Sequence, residues 1–183
     1  MRYRWWVIIA IALFGAGIAF GLADPFNTAG LLSDELASLG ELAGILAPFT
    51  FSMFIFIFIK NVMTLFFSFA FAPIFCIVPV VTLVLNGGIL GLVVTLVMEQ
   101  ESLGFVLAGV LPHGIIELSA LFIGEAAALS LGVMLITALF KKEKRGLLLP
   151  SLRQNLRYLA LAVALMLPAA AIETFLTPLL VGY

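Results

Sequence analysis

The chain has 183 residues, of which 64% are hydrophobic and only 10% are charged, and its net charge is −1. A soluble domain carries about 25% charged residues, so the composition excludes an ordinary soluble protein, and the near-neutral charge gives no indication of nucleic-acid binding. Apolar runs long enough to cross a bilayer recur along the chain, which predicts an all-α, polytopic transmembrane bundle forming one integral membrane domain, residues 1–183.

The N-terminal part of the chain contains a predicted membrane span and a more polar connection. The span covers residues 5–23 and carries Gly17 and Gly21 at the GxxxG spacing that lets helices approach closely. The connection covers residues 24–48, where Ser33 can cap a helix that starts with two acidic residues. Its stripe of leucines predicts a short amphipathic helix near residues 34–46, lying on the membrane or over the bundle.

Two further spans are predicted at residues 50–72 and 73–98, joined by a tight turn. The second of them carries Gly87 and Gly91, again at GxxxG spacing. We expect the glycine faces to pack against other helices, and they favour a homodimer or another homo-oligomer.

The next apolar segment, residues 103–140, is too long for one straight span. At about 1.5 Å per residue it would measure nearly 60 Å, against a hydrocarbon core of about 30 Å. Pro112 and Gly114 are the residues most suited to interrupt it. We therefore predict about five spans, with this one broken or re-entrant at Pro112–Gly114 and with a last span at residues 157–181.

The distribution of charge predicts the orientation of the bundle. Basic residues in excess on short loops mark the cytoplasmic side. The rule predicts a multi-pass protein of the cell membrane, with the N-terminus and loop 141–156 cytoplasmic and with loop 24–48 and the C-terminus extracytoplasmic. Eight of the nine basic residues lie at the N-terminus or in and just after the late loop: Arg2, Arg4, Lys141, Lys142, Lys144, Arg145, Arg153 and Arg157.

A small set of polar residues remains inside the predicted spans. Ionisable groups in a membrane are costly and face one another or a cavity, and four different segments bring these residues to a similar depth. His113 and Glu117 share one helix face, and we expect Lys60 to pair with a glutamate. The predicted cluster, binding or structural, consists of Lys60, Asn61, Asn86, His113, Glu117 and Glu173, with Glu125 as a further candidate member.

The motif LPHGIIEL at residues 111–118 resembles the stage II sporulation protein M family of polytopic membrane proteins. The chain departs from the family pattern at Val62, where a second asparagine is usual, and at Glu125, where small neutral residues are usual. The resemblance implies a membrane component of a complex for envelope remodelling, and it does not imply an enzyme activity or a cofactor. Supporting segments are FIKN at 58–61, LNGGILG at 85–91, LSLG at 129–132 and AAIETFLTP at 170–178.

Three functions follow from these observations. The first is a membrane scaffold or complex subunit with membrane-complex partners, in which the polar cluster fixes helix register. The alternative is a transporter, channel or lipid-handling protein that uses His113, Glu117 and Glu173 as a proton- or ion-binding site. The third, an intramembrane hydrolase, is disfavoured because the chain has one histidine, one cysteine and no recognisable catalytic motif. We predict no catalytic residue, metal ligand or cofactor.

Overall fold

The protein is a helical bundle in a computed structural model, and the structure describes residues 2–23, 48–99 and 101–182. Within these residues five helical segments are long and apolar enough to cross a membrane, which confirms the all-α, polytopic prediction. The helices are α1 (Tyr3–Ala23), α2 (Phe51–Phe71), α3 (Ile77–Met98), α4 (Leu103–Phe140), α5 (Leu148–Phe175) and the short α6 (Thr177–Leu180), with a 3-10 helix at Lys142–Leu147 between α4 and α5. The amphipathic helix predicted near residues 34–46 and the connection 24–47 lie outside the described residues.

The predicted break in the fourth segment is wrong, because α4 is one helix of 38 residues that contains both Pro112 and Gly114. A proline removes one backbone hydrogen bond, and neighbouring helices make this tolerable in membrane helices. The length argument assumed that lipid surrounds the whole apolar segment. In fact α4 is the most buried of the spans. Of its most apolar 18 residues, 56% are buried inside the protein, compared with 17–28% for the same length of the other spans. The long apolar run is therefore the central core helix.

Glycines bring α1 and α3 into close contact along parallel paths. The predicted packing faces, Gly17 and Gly21 on α1 and Gly87 and Gly91 on α3, are all buried. A Cβ added at any of the four would lie closer than 3.0 Å to a backbone atom of the facing helix. The glycine faces are thus used within one chain, and the homodimer prediction loses the observation that supported it.

The N-terminus of α1 is attached to the two helices that flank the basic connection. The hydroxyl of Tyr3 donates a hydrogen bond to the carbonyl oxygen of Ile123 at 2.6 Å. The ring of Tyr3 stacks on that of Tyr158, with 3.7 Å between centroids. The start of α1 therefore packs against the middle of α4 and against α5 one residue after Arg157.

The last predicted span and the loop before it have different bounds from those observed. Helix α5 begins at Leu148 and not at residue 157, so Arg153 and Arg157 lie on a helix. Charged residues interrupt an apolar run without interrupting a helix, because arginine is a good helix former. At its other end α5 stops at Phe175, and a separate short helix containing Pro178 follows.

Candidate functional site

A partly open cavity of about 230 Å³ lies among the helices, enclosed by α2, α3 and α4 with contributions from α1 and α5. Its apolar walls include Phe14, Leu121 and Met166. Its polar side chains include five of the six residues that the sequence predicted to cluster: Lys60, Asn61, Asn86, His113 and Glu117.

The carboxylate of Glu117 is at the centre of the polar contacts. Its Oε1 accepts a hydrogen bond of 2.9 Å from Nδ2 of Asn61, across the α2–α4 contact. Its Oε2 lies 4.0 Å from Nε2 of His113, one turn earlier on α4. Asn61 is buried, whereas the side chains of His113 and Glu117 retain 14% and 26% of their exposure. This carboxylate is therefore held on one side and accessible on the other.

The sixth predicted residue, Glu173, reaches the same place from α5. One donor atom each from His113, Glu117 and Glu173 fall within 4.8 Å of one another. Thr177, which the sequence reasoning missed, completes this corner, since its Oγ1 lies 3.1 Å from Nδ1 of His113. The spacing in the sequence could have indicated Thr177, because it follows Glu173 by four residues, as Glu117 follows His113.

Lys60 and Asn86 line the cavity but make different contacts from those expected. Lys60 is exposed, and in the described part of the chain no carboxylate oxygen lies within 4.0 Å of its ammonium. The expected ion pair with a glutamate is therefore not formed. The amide of Asn86 donates to the carbonyl oxygen of Thr82 on its own helix, at 2.8 Å.

Glu125, the further candidate member, lies apart from the cavity. It is completely buried between α2 and α4, where one carboxylate oxygen accepts a hydrogen bond from the hydroxyl of Ser68. Its other oxygen has no hydrogen-bond partner among the described residues. The sequence reasoning did not single out Ser68, because one serine in an apolar run carries no pattern.

The mouth of the cavity opens on the flank of the bundle. The lining residues that are most exposed are Lys60 on α2 and Ile89 and Val93 on α3. Lys60 and Asn86 both lie near the middle of their helices. A ligand can thus reach the polar side chains between α2 and α3, at mid-helix.

The groups brought together here can bind a cation or a polar group. It offers two carboxylates, one imidazole, two amides and an ammonium group. The only thiol in the chain, Cys76, contacts the carbonyl oxygen of Leu129. Leu129 lies 16 residues beyond His113 on α4, or about 24 Å along the helix, so the thiol is remote from the cavity.

The profile of the family described as stage II sporulation protein M matches residues 7–178, nearly the whole chain. The chain belongs to the stage II sporulation protein M family. A relative in Methanocaldococcus jannaschii, described as an uncharacterized protein, is 25% identical over 178 residues, which cover 97% of this chain and 96% of the relative. No solved structure matches the chain significantly. Family membership and the apolar helices together establish an integral membrane protein.

Proposed function

We propose that this member of the stage II sporulation protein M family binds an ionic or strongly polar group in the cavity, as a transport or lipid-handling protein. The observation that carries the proposal is the flank opening at mid-helix onto Lys60, Asn61, Asn86, His113 and Glu117. A sealed and fully paired cluster would have favoured a purely structural role. Here Glu117 keeps one oxygen accessible and Lys60 has no carboxylate contact in the described residues.

The cost of these groups in a membrane supports the same proposal. Each charged residue at the bilayer centre costs roughly 2.5–3.5 kcal/mol on insertion scales. Ionisable residues inside a membrane therefore commonly mark a binding site or a transport path. A cavity of about 230 Å³ is smaller than the roughly 300–1,000 Å³ of pockets for drug-sized ligands, so a small ion or a lipid headgroup fits the proposal better than a larger metabolite.

The lateral mouth favours ligands that arrive from the lipid phase. An amphiphile could place its headgroup against Lys60 and Glu117 while its chains stay in the hydrocarbon between α2 and α3. We propose a cell-membrane location in which the basic end of the bundle, with Arg2, Arg4 and the connection after α4, is cytoplasmic. The attachment of Tyr3 beside Tyr158 supports a common side for both basic segments.

Reconstitution into liposomes tests this function. The purified full chain is assayed for scrambling of fluorescent lipids and for flux of protons and small cations. In whichever assay the wild type is active, we expect the rate to fall at least tenfold for Glu117→Gln, which keeps the shape of the side chain and removes its charge. Glu101→Gln, an exposed acid outside the cavity, is the matched control. Equal movement of every solute with wild type, Glu117→Gln and protein-free liposomes would contradict the proposal.

A second candidate is the scaffold or complex subunit in envelope remodelling that the family resemblance implied. Lys60 favours it, because an exposed ammonium near the middle of a membrane helix can be neutralised by an acidic residue on a partner helix. The partner is a second copy of the chain or another membrane protein. Photocrosslinkers placed in intact membranes at Phe56 and Met63, which share the face of Lys60, should then give discrete adducts, while a crosslinker at Ile8 serves as control. Adducts to lipid alone at both positions would exclude this candidate.

A further inference from the structure

Three side chains beside the cavity have the geometry of a metal site. His113 and Glu117 project from adjacent turns of α4, and Glu173 comes from the last turn of the facing helix α5. Their donor atoms lie within 4.8 Å of one another, and none of the three residues is fully exposed. Ligands around Zn²⁺ lie at about 2.0–2.2 Å from the ion, so side-chain movements of about 1 Å would bring all three into coordination.

Neighbouring groups already orient two of these ligands. The imidazole of His113 contacts Thr177 through Nδ1 at 3.1 Å, which leaves Nε2 directed to the carboxylates. Asn61 donates to one oxygen of Glu117, which leaves the other oxygen directed to His113. Metal-binding histidines and carboxylates characteristically have their remaining polar atom held in this way. Both α4 side chains therefore present their free donor atom to the same point.

The two carboxylates at the site carry more negative charge than the one ammonium group, Lys60, can neutralise, which favours binding of a cation. Two carboxylates within 4.8 Å of each other repel strongly where water is scarce. Lys60 is near enough to Glu173 to attract its carboxylate, but in the described ranges it makes no contact of 4.0 Å or less with either carboxylate, and its single charge does not balance both. A divalent cation between two carboxylates and a neutral imidazole gives a group without net charge, which a membrane interior tolerates well.

We propose that His113, Glu117 and Glu173 bind one divalent transition-metal ion, Mn²⁺ or Zn²⁺, at the side of the cavity. One imidazole and two carboxylates without a thiolate suit these ions. Three protein ligands leave an open position, as in sites where a metal binds a further ligand. Two of the ligands, His113 and Glu117, line a cavity that Lys60 also lines, so an anionic oxygen, such as that of a phosphate group, would suit the open position. The role of this metal rests on the proposed function, in which the metal would be the cation that the cavity holds.

Equilibrium metal binding tests the proposal on the full chain in detergent, purified with an affinity tag that contains no histidine. After removal of metal with EDTA, the protein is dialysed against Mn²⁺ and, separately, Zn²⁺, and the bound metal is counted. We expect about one ion per wild-type chain and at least tenfold weaker binding for Glu117→Gln and for Glu173→Gln. Glu101→Gln should bind as wild type. No bound metal in the wild type, or unchanged affinity in both cavity variants, overturns the proposal.

A second measurement remains decisive if the cavity variants fail to fold. The chain contains a single histidine, so an imidazole nitrogen coupled to bound Mn²⁺ in pulsed electron paramagnetic resonance identifies His113. Stoichiometric Mn²⁺ without nitrogen coupling overturns the proposal. Metal binding without solute or lipid movement would support the site and contradict the proposed function, whereas movement without metal binding would do the reverse.

Discussion

Asn61 and Glu117, from the middle of α2 and α4, are joined by a hydrogen bond of 2.9 Å between the amide nitrogen and Oε1 of the carboxylate. The contact links the buried face of α2 to the wall of the cavity. It thereby connects the packing of the bundle with the orientation of the residue that is central to both proposals.

Replacing Asn61 by alanine should therefore affect both stability and the site. The loss of this hydrogen bond should lower the stability of the bundle by about 1 kcal/mol, and the freed carboxylate should bind Mn²⁺ more weakly. Thermal unfolding in detergent and metal titration measure the two effects. Asn155→Ala is the matched control, since that buried amide donates within its own helix and does not line the cavity. Equal effects of the two substitutions would contradict the orienting role of Asn61.

Enlarging Gly17 to leucine should separate α1 from α3. A side chain there meets the backbone of the facing helix, which cannot move aside as a flexible side chain can, and overpacking costs about 1–3 kcal/mol or more. We expect a lower melting temperature and loss of disulfide crosslinking between cysteines introduced on the two helices. Gly15→Leu is the control, because a Cβ at Gly15 has no atom within 4 Å. Similar stability of both variants would argue against this helix contact.

Removing the hydroxyl of Tyr3 should loosen the N-terminal attachment of α1. Tyr3→Phe keeps the stacking on Tyr158 but leaves the carbonyl oxygen of Ile123 without this donor, at a cost of about 1 kcal/mol. Proteolysis or hydrogen exchange at the start of α1 should report the change. Tyr158→Phe keeps the stacked pair and should have less effect; the opposite order would contradict the assigned hydrogen bond.

Replacing Pro112 by alanine distinguishes a continuous helix from a functional break. In a continuous α4 the substitution restores a backbone donor to the carbonyl of Ala108, and stability should rise by up to about 3 kcal/mol. Metal binding and transport should be retained, because His113 and Glu117 stay on the same face. Thermal unfolding measures the stability, metal titration the metal binding and the liposome assay the transport. A loss of activity with increased stability would show that the proline provides a needed irregularity.

The helical class and the number of spans were predictable from hydropathy, because a backbone in lipid must satisfy its hydrogen bonds internally. The composition of the cavity was partly predictable as well. His113 and Glu117 share a helix face by their spacing. The number of residues from each end of a span predicted a similar depth in the membrane for Lys60, Asn61 and Asn86, which line the same cavity. The contact of Thr177 and the separate location of Glu125 were not predictable, since both depend on which helices are neighbours.

By itself, the sequence determined that the chain is a membrane bundle and which few polar residues must be accommodated inside it. Only the tertiary structure decided that α4 runs uninterrupted through the core, that the glycines of α1 and α3 face each other, and that the cavity opens on the flank between α2 and α3. The physical reason is that lipid and a neighbouring helix are equally apolar. Hydropathy therefore places a residue in the membrane without distinguishing a lipid contact from a protein contact.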